Sequence, residues 1–278
     1  MRFVIIQSGS KGNATLVIDK GRVLLIDMGI GIRAFKEALA KENLNVYNIS
    51  AMLLTHEHCD HTGGIKYLPP LPIYCTKETY NAENVVAVEP YKEFEIDHFK
   101  IFPIATSHDV KNPLGFVIKN EEETLVYLTD SGKITVKSLQ KIKNADYYII
   151  ESNHDVDMLM ATNRPMMLKR RILSGKGHLS NEQSATYMTK CIGENTKEII
   201  LAHLSEEANC PEVAIETYKK IFEDANISLD KIRLCCANQH YAVEGGKKWI
   251  TKNLQSTKKL LITNLWRNTD AITQTHSM

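Results

Sequence analysis

The residues best suited to chemistry lie in one short stretch that begins near position 52. An apolar run, residues 52–54, leads into His56, His58, Asp60 and His61. A run of this kind that stops at polar residues is typical of a buried strand that enters a loop. Imidazole and carboxylate groups packed this densely are ligands for transition metals, so we predict a metal site here.

The spacing of these four side chains predicts two metal ions. In extended backbone His56 and His58 would point to the same side, because side-chain direction repeats every second residue. Asp60 and His61 are adjacent and would point apart. One ion could not easily bind all four, and two ions about 3.5–4 Å apart form the arrangement that hydrolyses phosphodiesters.

Two metal ions need further ligands, and the sequence offers them where other apolar runs end. His108 follows one such run, Asp130 ends a second and His203 ends a third. The predicted ligands are His56, His58 and His108 for one ion, Asp60, His61 and His203 for the other, and Asp130 between them. These ligands suit Zn²⁺, and with a bridging carboxylate also Mn²⁺ or Fe. A bridging hydroxide formed near neutral pH would be the nucleophile, and Asp60 is assigned a catalytic role as well as that of a ligand.

One more carboxylate, Asp27, stands at the end of an apolar run. We expect it to orient a ligand histidine through the ring nitrogen that does not face the metal. A helix-capping aspartate is the alternative at this position.

The elements that would position these residues change in type along the chain. Before residue 150 short β-rich runs alternate with turn residues, and afterwards helical segments dominate. Helices are expected over residues 181–192 and 211–225, the second with proline in its first turn. Residues 232–236 and 241–243 are expected to pair as the last two strands. The pattern predicts a layered β core with helices outside.

Composition indicates one large domain. The 278 residues are 43% hydrophobic and 24% charged, which is ample for a buried core. We predict a hydrolase domain over residues 1–245 and a basic tail over residues 246–278. The tail could contact phosphates, remain solvated, or dock on the domain through its apolar residues. The net charge of +1 leaves any attraction of nucleic acid to local charge.

The sequence also predicts where the protein works. No apolar stretch approaches the ~20 residues of a membrane span, and the first apolar run is too short for a signal peptide. Six cysteines occur without disulfide or zinc-finger spacing. A cytoplasmic protein with no membrane partner is therefore expected, and the sequence makes no prediction about its oligomeric state.

The ordered set of predicted ligands, preceded by Asp27, resembles the pattern of the metallo-β-lactamase superfamily. The resemblance covers residues 1–245. It implies an α/β fold, the four-layer αββα sandwich, with the metals at one edge of the sheets. It also implies that the seven ligands divide between two metal sites as given above.

Four further stretches look like the YycJ/WalJ group of that superfamily, whose bacterial members are described as DNA exonuclease-like. They are residues 8–13, Glu151-Ser152-Asn153-His154-Asp155, Gly177-His178-Leu179-Ser180-Asn181 and Ala202-His203-Leu204-Ser205. The third stretch is also similar to the β-CASP nucleases, in which a Gly-His-Ala-Ser histidine contacts the scissile phosphate. This chain has no room for their cap domain between Glu151 and His178. The resemblance implies a 5′–3′ exonuclease on nucleic acid, with DNA favoured and RNA as the alternative.

Further residues are expected to meet or position substrate. His178 follows two glycines, so its backbone could approach a ligand, and its ring could stabilise charge on the transferred phosphate. His154 could assist His178 or be a polar surface residue. Residues 8–13 could turn N–H groups towards an anion or form an ordinary turn. A basic run, Arg164, Lys169, Arg170 and Arg171, could steer phosphate. The candidates outside the ligand set are Asp27, Ser8, Ser10, Asn13, Glu151, His154, Arg170 and the catalytic His178.

Three classes of function compete on this pattern. The leading hypothesis is a metal-dependent phosphodiesterase that acts on nucleic acid. The alternative is a small-molecule hydrolase of the same fold, acting on a lactone, thioester or cyclic phosphodiester. A binding protein with structural metals is the third class, and the full ligand set argues against it.

Overall fold

The computed structural model describes residues 1–247, which form two seven-stranded sheets with helices on their outer faces. The first sheet contains, in spatial order, β14 (Val243–Gly246), β1 (Arg2–Gln7), β2 (Ala14–Asp19), β3 (Arg22–Ile26), β4 (Ile49–Leu53), β5 (Ile73–Cys75) and β6 (Val85–Ala87). The second contains β13 (Arg233–Cys236), β12 (Glu198–Ala202), β11 (Tyr147–Glu151), β10 (Thr124–Leu128), β9 (Leu114–Lys119), β8 (Phe99–Ala105) and β7 (Phe94–Ile96). The helices are α1 (Ile32–Lys41), α2 (Cys59–Thr62), α3 (Val136–Lys141), α4 (Val156–Ala161), α5 (Met166–Leu173), α6 (Asn181–Met188) and α7 (Pro211–Asp224).

The central strands of each sheet are buried on both faces, which explains why they are apolar almost throughout. In β3, Leu24 and Ile26 face the core between the two sheets, whereas Val23 and Leu25 face the layer that contains α1. The alternation follows from the two-residue period of a strand, and double burial favours near-continuous apolar runs. A third cluster packs α6 and α7 on the second sheet. The predicted four-layer αββα sandwich is confirmed.

The parallel strands of both sheets end at the same edge of the sandwich. In the first sheet β3 and β4 run parallel, with Ile26 opposite Leu53. In the second sheet β10, β11 and β12 run parallel, with Ile150 of β11 between Leu128 and Leu201. Loops that follow the carboxyl ends of parallel strands meet at one edge, where ligands of α/β proteins bind. The polar residues singled out in the sequence follow these strand ends.

The expected pairing of the last two strands is wrong. β13 pairs with β12 in one sheet, whereas β14 pairs with β1 in the other. The intervening residues carry the chain from the second sheet to the first. Each of these strands is short and lies at the edge of its sheet, so local composition could not identify its partner.

The backbone after His58 also differs from the expected loop. Residues 59–62 form the short helix α2, in which the carbonyl of His58 accepts bonds from the N–H groups of His61 and Thr62. Neighbouring residues of a helix are separated by about 100° rather than 180°. Asp60 and His61 therefore do not point apart, and Asp60 Oδ2 lies 3.5 Å from His61 Nε2.

Two further features bear on the overall organisation. Residues 248–278, most of the predicted basic tail, lie outside the described residues. Within residues 1–247, no helix is both long enough and apolar enough to cross a membrane.

Candidate metal centre

The structure brings all seven predicted ligands together at the carboxyl edge of the strands. Ligand atoms of His56, His58 and His108 all lie within 4.8 Å of one another, and those of Asp60, His61 and His203 form a second such group. Asp130 lies between the groups. Its Oδ2 is 3.3 Å from His61 Nε2, and its Oδ1 is 3.5 Å from His203 Nε2 and 3.9 Å from His108 Nε2. Two groups of three ligands joined by a carboxylate form the arrangement that the sequence predicts.

The chemistry of these side chains fits divalent metal ions. The Nε2 atoms of His56 and His203 are buried, and neither has a hydrogen-bond partner among the described residues. A buried polar atom without a partner costs about 1–3 kcal/mol, and a coordinated ion would remove that cost. Five imidazoles and two carboxylates suit Zn²⁺, Mn²⁺ or Fe rather than Ca²⁺ or Mg²⁺. The centre is therefore suited to two transition-metal ions.

Backbone conformation helps to aim three of the side chains. Asp27, Asp130 and His203 have φ values of 57°, 55° and 56°, in the left-handed region that non-glycine residues seldom adopt. Asp27 and His203 each come directly after a strand, and Asp130 comes two residues after one. Such conformations cost about 1–3 kcal/mol each and persist where the surroundings impose them. The strand ends thus place functional groups at the expense of local stability.

Asp27 lies against the predicted ligand His61, and its carboxylate contacts His61 and Thr55 rather than the N–H groups of a helix terminus. Its Oδ2 lies 2.7 Å from His61 Nδ1, and its Oδ1 accepts a bond from the N–H of Thr55 at 2.8 Å. Burial by itself would lower the pKa of His61, but the carboxylates of Asp27 and Asp130 raise it to about 10. The Nδ1 proton is held towards Asp27, so Nε2 faces the other ligands.

Residues 8–13 serve mainly as a scaffold beneath the ligands. Asn13 donates its backbone N–H to the carbonyl of Asp60 at 2.8 Å, and its side-chain nitrogen lies 3.0 Å from His61 Nε2. Ser8 Oγ accepts the N–H of His203 at 2.9 Å. The N–H groups of residues 8, 9, 12 and 13 all donate within the protein. Because these N–H groups already have partners, residues 8–13 form an ordinary turn rather than a loop whose N–H groups face an anion. Ser10 is exposed.

A glycine is required where this scaffold meets α2. A Cβ on Gly29 would lie 1.6 Å from the carbonyl oxygen of Asp60. Gly29 also donates its N–H to the carbonyl of Asn13. The absence of a side chain lets the loop after β3 pack directly against the metal-binding helix.

Glu151 anchors His178 beside the ligands. It is fully buried, and its Oε1 lies 2.7 Å from His178 Nδ1 and 3.3 Å from His203 Nδ1. Its Oε2 accepts the N–H groups of Ser131 and Leu179. Burial would raise the pKa of Glu151, but the charge and hydrogen bond of His178 and the bond from His203 lower it to about 2. Glu151 is therefore a fixed anion that positions two histidine rings.

The ring of His178 lies between ligand rings. It stacks on His203 with centroids 5.2 Å apart and meets His108 edge-on at 5.0 Å. Its side chain keeps 18% of its surface exposed. Since Nδ1 donates to Glu151, Nε2 is the nitrogen left for another partner. A group with Asp130, Glu151 and His203 could also hold an ion, which makes metal binding the alternative role of His178.

His154 is buried, so the alternative that it is a polar surface residue is wrong. Its Nδ1 lies 3.3 Å from Asn153 Oδ1, and its carbonyl accepts the N–H of Asn181. Burial lowers the pKa of His154 to about 4. Among the described residues no hydrogen bond joins it to His178. His154 therefore supports the segment that carries Asn153 rather than meeting solvent.

The basic run before His178 does not act as one surface. Lys169 is buried, and its Nζ donates to the carbonyls of Met160 and Thr162, each at 2.7 Å. The expectation that Lys169 steers phosphate is wrong, because its amine instead donates hydrogen bonds to backbone carbonyls at the C-terminal end of α4. Arg164 pairs with a glutamate on the surface. Arg170 is exposed and has no side-chain partner within residues 1–247.

Two further residues, Thr55 and Asn153, hold groups of the centre in place without being among the residues predicted to do so. Thr55 donates its N–H and its hydroxyl to Asp27 and lies 3.0 Å from His56 Nδ1. Asn153 donates its side-chain amide to the carbonyl of His203 at 2.8 Å. The sequence does contain a signal for Thr55. It is a hydroxyl residue directly before the metal-binding motif, and alternation along the strand end places it on the face opposite to His56. Asn153 belonged to a motif, but only the tertiary contact reveals its partner.

Comparison with known proteins agrees with this geometry. A family model described as a β-lactamase superfamily domain matches residues 22–204. The chain is 34% identical over 237 residues to the exodeoxyribonuclease YycJ of Bacillus anthracis, covering 81% of this chain and 90% of that protein. It is 32% identical over 243 residues to the exodeoxyribonuclease WalJ of Streptococcus pneumoniae, covering 82% and 90%. The metallo-β-lactamase fold protein YhfI of Bacillus subtilis superimposes with a TM-score of 0.66 at 20% identity, covering 88% and 99%.

Proposed function

Because this chain belongs to the β-lactamase superfamily, in the group of the YycJ and WalJ exodeoxyribonucleases, we propose that it is a metal-dependent exonuclease that acts on DNA. The observation that carries the proposal is the pair of three-ligand groups joined by Asp130. Two ions at such a centre form a clamp for the in-line displacement at a phosphodiester. The Glu151–His178 pair beside it supplies a donor for phosphate.

We assign different roles in hydrolysis to the bound ions, to His178 and to the residues that hold His61. Two bound ions would activate water and neutralise charge on the phosphate. His178 Nδ1 donates to Glu151, so Nε2 would donate to a non-bridging phosphate oxygen when the ring carries a proton on both nitrogens. Asp27 and Thr55 hold His61 so that its Nε2 faces the centre. Charge that develops in the transition state thus meets groups whose orientation is already fixed.

The finer assignments are part of this proposal. The ions are proposed to be Zn²⁺ or Mn²⁺, with Fe as a further possibility, and DNA is favoured over RNA with 5′–3′ polarity. A cytoplasmic location suits such a substrate, and the described cysteines are all free. The catalytic domain is proposed to cover residues 1–245, with residues 246–278 as a basic tail. Outside the ligands, the proposed substrate-contact or positioning residues are Asp27, Ser8, Ser10, Asn13, Glu151, His154, Arg170 and the catalytic His178.

An assay on end-labelled nucleic acid tests the proposal. Duplex DNA, single-stranded DNA and RNA of one sequence, labelled at either end, would be incubated with protein loaded with Mn²⁺ or Zn²⁺. We expect mononucleotides to appear first from the 5′ end of DNA. Hydrolysis of a lactone or thioester without any cleavage of DNA or RNA would contradict the proposal in favour of a small-molecule hydrolase.

A further inference from the structure

Three exposed cations lie on the segments that contact the loops of His108 and His178. They are Lys133, Arg171 and Lys176, and we call them the cationic rim. They come from separate segments: the loop after β10, the last turn of α5 and the loop that leads to His178. The fold brings them together around the backbone of residues 107–109 and 174–177.

Arg171 is the cation of the basic run that reaches the centre. Its Nε lies 2.5 Å from Asp109 Oδ2, and Asp109 Oδ1 lies 3.4 Å from Nε2 of the ligand His108. One carboxylate therefore separates the guanidinium from a metal ligand. The terminal nitrogens of Arg171 have no acceptor within residues 1–247, and its side chain is 52% exposed. Arg171 thus keeps a free donor fork, the geometry that fits a phosphate.

Lys133 and Lys176 flank the same backbone. A Cβ on Gly175 would lie 3.6 Å from Lys133 Cδ, so the Lys133 chain passes over that glycine. The carbonyl of Gly175 accepts the hydroxyl of Ser107 at 2.7 Å, which ties the two loops together. Neither Lys133 nor Lys176 pairs with an acid in the described part of the chain.

The loops beneath the rim are held firmly to the centre. The carbonyl of Gly177 lies 3.1 Å from His108 Nδ1, and a Cβ on Gly177 would lie 2.1 Å from the carbonyl oxygen of Ile172. Only glycine allows this close approach. The position of Lys176 is therefore coupled to that of a metal ligand on one side and of His178 on the other.

We propose that the cationic rim binds phosphates of a single DNA strand. These phosphates neighbour the scissile phosphate on the same strand. This inference rests on the proposed function and adds the path of the strand, which passes from the metal centre over His108 towards α5. Asp109 stands between His108 and Arg171, so the guanidinium meets a neighbouring phosphate rather than the scissile one. The bond from Nε to Asp109 fixes the guanidinium while its terminal nitrogens stay free for phosphate.

The rim makes a measurable prediction about salt. Each phosphate contact on a single strand contributes about 0.7 to the slope of log K against log salt. Loss of three contacts would reduce that slope by about 2 and weaken binding by roughly 10²-fold near 0.1 M salt. Loss of Arg171 alone would weaken binding by about fivefold. A small phosphodiester carries no neighbouring phosphate, so its hydrolysis should not depend on the rim.

The test compares two triple variants of the full chain. The rim variant is Lys133→Ala, Arg171→Ala and Lys176→Ala. The control variant, Arg22→Ala, Lys100→Ala and Lys119→Ala, removes the same charge from exposed positions at the opposite end of the strands. Binding of a fluorescently labelled single-stranded oligodeoxynucleotide with cleavage-resistant phosphorothioate linkages to the metal-loaded proteins would be followed by anisotropy at several salt concentrations. Hydrolysis of bis(p-nitrophenyl) phosphate by the metal-loaded proteins and thermal melting complete the set.

We expect the rim variant to lose about 2 from the salt slope, to keep the hydrolysis of the small substrate, and to melt like the control. Equal salt slopes in the rim and control variants would overturn the inference. The proposed function would still stand in that case if the wild-type protein cleaves DNA. Parallel loss of both activities in the rim variant would also overturn it, since the rim would then act on the centre itself. A wild-type protein that neither binds nor cleaves DNA would remove the proposed function and this inference together.

Discussion

Replacement of His178 by alanine separates catalysis from metal binding. In the structure His178 Nδ1 donates to the buried Glu151, and Nε2 is the nitrogen that we propose contacts substrate. Removal of one preorganised transition-state donor typically lowers kcat by ~10²–10³-fold, roughly 2.7–4 kcal/mol. We therefore expect His178→Ala to lose that much kcat on DNA while it retains close to two equivalents of metal. Metal analysis and kinetics would be performed on the same preparation.

The same substitution has a calculable effect on stability. Glu151 loses a charged hydrogen bond, worth about 1.5–3 kcal/mol, but still accepts the N–H groups of Ser131 and Leu179. For a domain of this size the melting temperature should fall by roughly 3–12 °C. His98→Ala is a matched control. His98 is 22% exposed against 18% for His178, and its Nε2 lies 2.9 Å from the carboxylate of Asp19, remote from the centre.

The two variants should thus share a stability loss but not a kinetic one. If His178→Ala keeps the wild-type kcat at a temperature where it is folded, the catalytic role of His178 is refuted. If it instead loses one metal equivalent, His178 is a ligand with Asp130 and His203. His98→Ala should keep both the wild-type kcat and the wild-type metal content.

Further substitutions test other parts of the centre. Asp130→Ala should lower the bound metal below two equivalents and abolish DNA hydrolysis, measured by elemental analysis and end-labelled cleavage, because Asp130 contacts both ligand groups. Thr55→Val removes a hydroxyl bond to Asp27, so metal affinity in competition with a chelator should fall about 10–100-fold; unchanged affinity would contradict the positioning role. Glu123→Gln should cost ~1–3 kcal/mol of unfolding free energy at pH 7. Burial by itself would raise the pKa of Glu123, but hydrogen bonds from the terminal amine, a tyrosine and Lys197 lower it. The stabilisation is therefore present above pH 4.5 and is lost as pH falls through the native pKa; a difference from wild type that does not shrink at all in urea melts taken from pH 7 down to pH 3 would contradict this.

The ligand set could be predicted because it depends on local rules. Apolar runs that stop at His or Asp mark buried strands, and the ends of parallel strands converge on one edge. His56, His58, His108 and His203 follow such runs, and the structure places them together at that edge. The contact between Asp27 and His61 agrees with the same rule, since a carboxylate at a neighbouring strand end can reach the ring nitrogen of a histidine that faces away from the centre.

The predictions that proved wrong concern residues whose environment depends on contacts between segments that are distant in sequence. Lys169 lies in a basic run, and only the packing of α5 on α4 buries its amine on two carbonyls. His154 is polar and follows a strand, and burial beneath residues 178–181 depends on tertiary structure. The separation of β13 and β14 into different sheets reflects pairing with β12 and β1. Local composition carries no information about such partners.

Metal content and DNA hydrolysis measured on one preparation test the central claim most directly. The purified protein would be analysed for bound transition metal, stripped with a chelator, and then reconstituted with Mn²⁺ or Zn²⁺, with exonuclease activity assayed at each stage. The seven-ligand centre predicts close to two equivalents of metal in the active protein, loss of activity on stripping and recovery on reconstitution. Full DNA hydrolysis by the stripped protein, with chelator present throughout, would contradict the account.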